Sequence, residues 1–270
     1  MTSQRELTDH YASDDPVDRI REQLVSAGVC IDNVTVEDLA GVDEFHLGGK
    51  LATTALLESF ALPAGARHLD IGCGIGGAAR AIAARAQCMV TGIDLTPAFV
   101  DTATTLSAMV GMSEVTTFVL ADASTIQFPY AHFDAASMIH VGMNIDNKAG
   151  LFAEVARVLA PTGSFHVYDI MRVANGDISY PMPWSASPST SFLAEPATYV
   201  AALEQAGFDV AEPIDRTSLV ADALTAAAAN PPAVNLSHLM GASWPEMFAN
   251  LRAALQAGIV APIEVVARTR

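Results

Sequence analysis

Positive charge is scarce in this 270-residue chain: 14 Lys and Arg stand against 30 Asp and Glu, a net charge of −16. Such a surface repels phosphate backbones and anionic membranes, which argues against DNA, RNA and anionic lipid as partners. Cysteine is scarce too. Cys30, Cys73 and Cys88 form no C-x-x-C pair. That count excludes a disulfide framework and a cysteine zinc site, and suits a reducing compartment. The opening segment MTSQRELTDHYASDDP is polar and acidic, without the apolar stretch of a signal peptide. No uncharged run of about 18 residues reads as a membrane span. A cytoplasmic protein is expected. What the chain has in quantity is apolar residues, 51% of the total. That suffices for one well-buried α/β domain with a modest lid, rather than two full domains.

The apolar pattern changes along the chain. Val17, Ile20, Leu24 and Val25 recur at helical spacing between Pro16 and Gly28, and a second helix is predicted from Lys50 to Phe60. From Arg67 onwards strands and helices alternate. Strands are predicted at 67–72, 88–94, 115–121, 133–140 and 164–170, and helices at 76–86, 97–110 and 148–159. This rhythm indicates a mostly parallel sheet with helices on both faces. Residues 172–195, with Pro181, Pro183, Pro188 and several serines, read as a loop. A helix at 196–206 and a strand at 208–214 follow. Residues 217–258 read as helical with a break at Asn230-Pro231-Pro232, and a last strand is predicted at 263–268.

The sharpest local signal is Asp70-Ile71-Gly72-Cys73-Gly74-Ile75-Gly76-Gly77, at a strand-to-helix junction. Glycines there allow a tight turn and close approach of a ligand to the backbone, and the following helix offers free N–H groups. The string also satisfies G-x-G-x-x-G as Gly72, Gly74 and Gly77, so a nicotinamide or flavin enzyme is an alternative on that motif. Asp70 weighs against it, because a carboxylate there repels a pyrophosphate and suits a cationic ligand. Asp94 ends the next strand 22 residues after Gly72, where an acid can accept both ribose hydroxyls of an adenosine. Thr96 is the expected N-cap of the helix beyond. Asp122 ends the third strand, where it can accept from an adenine amino group. Three acids at successive strand ends share the rim at which open α/β sheets bind ligands.

Asp70-x-Gly72-x-Gly74-x-Gly76, then Asp94, then Asp122-Ala123, resembles the class I S-adenosylmethionine-dependent methyltransferases. The segment Glu154 to Gly163 is similar to that family's lead into its fifth strand, with Thr162 where the usual pattern has a glycine. Asp43-Glu44-Phe45-His46-Leu47-Gly48-Gly49, and Asn250 to Gly258, resemble small-molecule members, in the broad group that includes sarcosine and dimethylglycine N-methyltransferases. The resemblance implies a Rossmann-like, seven-stranded, mostly parallel sheet with an antiparallel last strand, an N-terminal helical cap and lid insertions. It implies a tail and cap over 1–50, a cofactor-binding core over 51–171, and lid segments with the last two strands over 172–270. It further implies S-adenosylmethionine as methyl donor and S-adenosylhomocysteine as product. Gly72, Cys73, Gly74 and Gly76 would line the methionine part, with Asp70 near its ammonium. Asp94 would hold the ribose, Leu95 would pack on the adenosine, and Asp122 with Ala123 would meet the adenine.

Methyl transfer is an in-line displacement on an activated carbon, so alignment supplies much of the catalysis, and O- or C-methylation adds a need for a base. His140, after the fourth strand, is the candidate base or a shaper of the cofactor pocket; His46 is the second candidate. Cys73 is rejected as a nucleophile, since the reaction needs none. No magnesium site is expected: Asp146 and Asn147 read as the start of a helix. The acceptor, a small molecule, would be walled by Tyr11, Met143, Tyr180, Trp184, Asn235, His238 and Trp244. Two alternatives stay open, a nicotinamide oxidoreductase and a non-catalytic cofactor-binding protein of the same fold. A monomer or homodimer is expected.

Overall fold

A computed structural model describes residues 16–44, 46–60, 62–229 and 243–270. It begins with a helical cap. Helix α1 (Pro16–Ser26) buries Val17, Ile20 and Leu24, the spacing seen in the sequence. Helix α2 (Val36–Asp43) was not anticipated. Its signal is a capping box: the Thr35 hydroxyl accepts from the Asp38 N–H at 3.2 Å, and the Asp38 carboxylate accepts from the Thr35 N–H at 2.9 Å. Helix α3 (Gly49–Glu58) completes the cap.

The core then alternates: β1 (Arg67–Ile71), α4 (Gly77–Ala86), β2 (Met89–Asp94), α5 (Pro97–Met109), β3 (Thr116–Leu120), β4 (Phe133–Ile139), α6 (Lys148–Val158) and β5 (Leu159–Arg172). After the proline-rich stretch come α7 (Pro196–Gln205), β6 (Phe208–Val210), β7 (Ile214–Asp215), α8 (Thr217–Ala229), α9 (Trp244–Gln256) and β8 (Val260–Thr269). The predicted break at Asn230-Pro231-Pro232 lies outside the described residues. Among the described residues no helix is long and apolar enough to cross a membrane.

The sheet runs β3-β2-β1-β4-β5-β8-β6, with β7 also on β8. Strands β1 to β5 pair in parallel, and β8 lies antiparallel beside β5, from Ser164↔Arg268 to Arg172↔Val260. This is the expected sheet with one correction. The sixth strand is split: β6 pairs with the end of β8 and β7 with its middle, at Glu264 and Ile263. Pro213 lies in the gap and has no N–H for the ladder.

Side-chain alternation sorts the two faces. Leu69 and Ile71 of β1 join Phe152 and Val155 of α6 and Phe165 of β5 in one buried cluster. Val90 packs with Ala79, Ile82 and Ala83 of α4 in another. Arg80 ties the cap to the core. It is fully buried, and its guanidinium donates to both oxygens of Asp43 in α2, to the carbonyls of Ile75 (2.7 Å) and Ala103 (3.2 Å), and to the Ser107 hydroxyl (2.9 Å). A buried guanidinium is tolerable only with such complete pairing. The C-terminal ends of β1, β2, β3 and β4 thus share one rim, and the chain switches direction between β1 and β4. Open α/β sheets place their ligand sites at such a switch point.

Candidate cofactor and methyl-transfer site

The turn from β1 into α4 alternates: Gly72, Gly74 and Gly76 have φ of +68°, +53° and +85°. That region is costly for residues with a Cβ. Two of these glycines have further reasons. A Cβ on Gly72 would lie 2.3 Å from Val141, and one on Gly76 would lie 2.7 Å from Phe118 and 2.8 Å from Arg80. Asp94, at the end of β2, holds the turn in place. Its Oδ2 accepts from the Gly74 N–H and its Oδ1 from the Thr96 N–H, both at 2.9 Å. Thr96 is the N-cap of α5 by position, but its hydroxyl makes no cap bond to the helix; the Asp94 carboxylate binds the N–H of Thr96 itself. Asn147, by contrast, caps α6 as expected, accepting from the Gly150 N–H at 3.0 Å.

Asp70 is buried on β1, and a side-chain chain crosses the sheet to reach it. Ser137 of β4 donates to Asp70 Oδ1 at 2.8 Å, and His68 Nε2 lies 2.8 Å from the same hydroxyl. Since the serine proton is spent on the carboxylate, His68 must be the Nε2–H donor. Asp70 Oδ2 is left buried with no partner. Burial pushes the Asp70 carboxyl up to about 7, the Ser137 bond pulls it down, and the Asp94 charge raises it. An unpaired buried carboxylate oxygen fits a cationic group.

A cavity of about 1210 Å³ lies over this rim. Its wall includes Asp70, Gly72, Cys73 and Gly74 from the turn, and Asp94, Leu95, Asp122 and Ala123 from the next two strand ends. His46, His140, Met143, Trp184 and Trp244 also line it. Two sequence candidates lie elsewhere. Gly76 faces the packing contacts given above, and Tyr180 packs against the cluster around Met182 and Trp184. Tyr11, Asn235 and His238 lie outside the described residues.

Both candidate bases are in place and neutral. His140 takes a left-handed backbone (φ +56°), and its ring stacks on Tyr168 with centroids 5.2 Å apart. Its Nε2 is buried without a partner. Burial, and then the neighbouring His46, hold its pKa well below the usual imidazole value. His46 meets the His140 ring edge-on at 5.9 Å. Its Nε2 lies 3.0 Å from the Thr53 hydroxyl, which donates to Glu44 at 2.7 Å. Burial takes His46 down to about 4 and Glu44 up to about 7, so their 3.5 Å approach is a polar contact rather than an ion pair near neutral pH. Burial and the two aspartates Asp94 and Asp70 push the Cys73 thiol well up. Among the described residues no His, Cys, Asp and Glu cluster could hold a metal ion.

The sequence reading missed Ser137 and Thr53, ordinary small polar residues that gain meaning only from what the fold sets beside them. It also missed an apolar wall of Phe192, Leu224, Phe248 and Leu251. Glu44 was within the quoted motif but was given no role.

A family model described as a methyltransferase domain matches residues 69–167. Sterol 24-C-methyltransferase erg-4 of Neurospora crassa is 36% identical over 109 residues, 40% of this chain and 29% of that protein. The 2-methyl-6-phytyl-1,4-hydroquinone methyltransferase of Synechocystis sp. is 33% identical over 167 residues, 62% of this chain and 50% of that protein. The chain thus spans half or less of these two relatives. In structure it is similar to the [4+2]-cyclase SpnF, with a TM-score of 0.67 over 99% of this chain and 96% of the other at 21% identity, a likeness of fold alone. Neither the domain match nor these relatives support the oxidoreductase alternative. Residues 69–167 thus match a methyltransferase-domain model, and the mostly parallel sheet with its antiparallel last strand is a fold shared with solved structures such as SpnF.

Proposed function

We propose that the chain transfers a methyl group from S-adenosylmethionine to a small-molecule acceptor. The observation that carries this reading is the buried, unpartnered Oδ2 of Asp70, a residue that lines a large cavity beside a turn of left-handed glycines. Asp70 takes the ammonium of the cofactor, with Gly72, Cys73 and Gly74 along its methionine part. Asp94 accepts from the ribose hydroxyls with the lone pairs that Gly74 and Thr96 leave free. Leu95 packs on the adenosine, and Asp122 with Ala123 meets the adenine. The bound cofactor supplies a methyl group already activated on a sulfonium. The two relatives act by name on a sterol and on a phytyl hydroquinone, which supports a small organic acceptor here.

His140 is the base in this proposal. Its imidazole is resident in the neutral form, so it is ready to accept a proton across the physiological range. An imidazolium would be costly in so buried a place. Its cost is offset here because the positive charge of the sulfonium is discharged as the proton arrives. The site's net charge is then unchanged, and the carboxylates of Asp70, Asp94 and Glu44 serve both states.

Calorimetric titration with S-adenosylmethionine, S-adenosylhomocysteine and NADH tests the cofactor. Micromolar binding of the first two and none of NADH is expected; binding of NADH alone would overturn the reading. His140→Asn tests the base, because asparagine tolerates the left-handed backbone and cannot accept the proton. With an acceptor found by radiolabelled methyl transfer, kcat should fall about 10²- to 10⁴-fold while cofactor affinity holds. An unchanged kcat would remove His140 from the chemistry.

A further inference from the structure

We infer that the methyl acceptor is an uncharged, predominantly hydrocarbon molecule and that phosphorylated or carboxylated acceptors are rejected. This rests on the methyl-transfer reading and names its substrate class. The cavity is lined on the lid side by Trp184, Phe192, Leu224, Trp244, Phe248 and Leu251. Small-molecule sites commonly occupy about 300–1,000 Å³, so about 1210 Å³ leaves room for an acceptor beside a cofactor.

Several polar atoms on this side are already engaged within the protein. The Trp184 indole N–H donates to the Ser191 hydroxyl at 3.0 Å, and the Asn144 amide donates to the Trp184 carbonyl at 2.6 Å. The Thr190 hydroxyl is shared with that of Ser185. Lys148 does not line the cavity, and its ammonium donates to the carbonyls of Ile145 (2.9 Å) and Phe192 (2.7 Å).

The charge of the wall is one-sided. Seven of its residues are Asp or Glu, and the sole Lys or Arg among the described lining residues is Lys50. Lys50 has a side chain 61% exposed, with Nζ 4.0 Å from Glu37. Among the described residues an anionic headgroup would therefore lose its hydration among carboxylates and meet no cation but the outward, Glu37-facing Lys50. The same acidity favours a sulfonium cofactor, so the cavity divides into an acidic, cation-binding part and an apolar part.

The chain carries two tryptophans, and both are in this wall, so its intrinsic fluorescence reports acceptor binding directly. The experiment titrates the full chain, saturated with S-adenosylhomocysteine, with farnesol, farnesoic acid and farnesyl diphosphate. These share one hydrocarbon chain and differ in headgroup. Farnesol is expected to bind at least tenfold more tightly than either anion. Equal or tighter binding of an anion overturns the inference, and so does the lack of a saturable signal with farnesol. The variant Leu224→Lys, which places an ammonium in the wall, should raise affinity for the diphosphate at least tenfold. No gain there overturns the electrostatic argument. Calorimetry with S-adenosylhomocysteine on the same sample separates the two readings. Normal cofactor binding with farnesol rejected removes only the acceptor class, whereas no cofactor binding removes both.

Discussion

Lowering the pH should weaken cofactor binding through Asp70, by an amount that follows from its surroundings. Burial lifts its carboxyl to about 7 in the free protein. The ammonium of S-adenosylmethionine needs the ionised form. Between pH 7 and pH 5 the ionised fraction falls from about one half to about one in a hundred, so the apparent Kd should rise by up to about 50-fold, or about 2.3 kcal/mol. The neighbouring imidazoles stay out of this window: burial holds His46 at about 4, His68 at about 3 and His140 well below its ordinary value. Glu44 and Asp169 do titrate near 7, so a control is needed. Asp70→Asn supplies it, and should bind more weakly with a flat profile. Methylthioadenosine, which lacks the ammonium, should also give a flat profile with the unaltered protein. Ser137→Ala should move the inflection upward, because the lost hydrogen bond is one that lowers the carboxyl. Calorimetry at half-unit steps of pH reads all four. A rise in Kd below about threefold, or the same curve with methylthioadenosine, would refute the placement of Asp70 against the ammonium.

Two further predictions concern stability. Asp43→Asn leaves the Arg80 guanidinium buried without its counter-charge, which should cost about 3–5 kcal/mol. At roughly 2–4 °C per kcal/mol, thermal unfolding should then come about 6–20 °C earlier; a shift under about 3 °C would show that the cap is held by other contacts. Thr162 adopts φ +63° where the family pattern has glycine. Thr162→Gly should relieve about 1–2 kcal/mol of backbone strain and return about 0.5–1 kcal/mol of it as chain entropy, raising the urea midpoint slightly; a lowered midpoint would show that the threonine side chain matters more than its backbone.

Much of the core was readable residue by residue. The alternation of strand and helix from Arg67 to Ile170, the glycine turn and the acids at three strand ends all depend on short stretches whose chemistry is local. A strand must alternate, a tight turn needs residues that accept a positive φ, and a helix needs a cap. The same reasoning failed where context decided. Helix α2 is only eight residues long and carries a weak apolar pattern. The sixth strand read as one run because its partner, β8, was not in view.

The sequence by itself determined the fold class, the position of the candidate cofactor rim and the net acidity of the chain, because periodicity, turn chemistry and charge are properties of the chain. Only the tertiary structure decided which groups are left without partners and which are spent. Ser137 reaches Asp70 across 67 residues of sequence, and Arg80 reaches Asp43 across 37. Trp184, Leu224 and Phe248 come from separate segments to make one apolar wall. Burial and hydrogen-bond satisfaction are sums over all neighbours in space, and those neighbours exist only once the chain has folded.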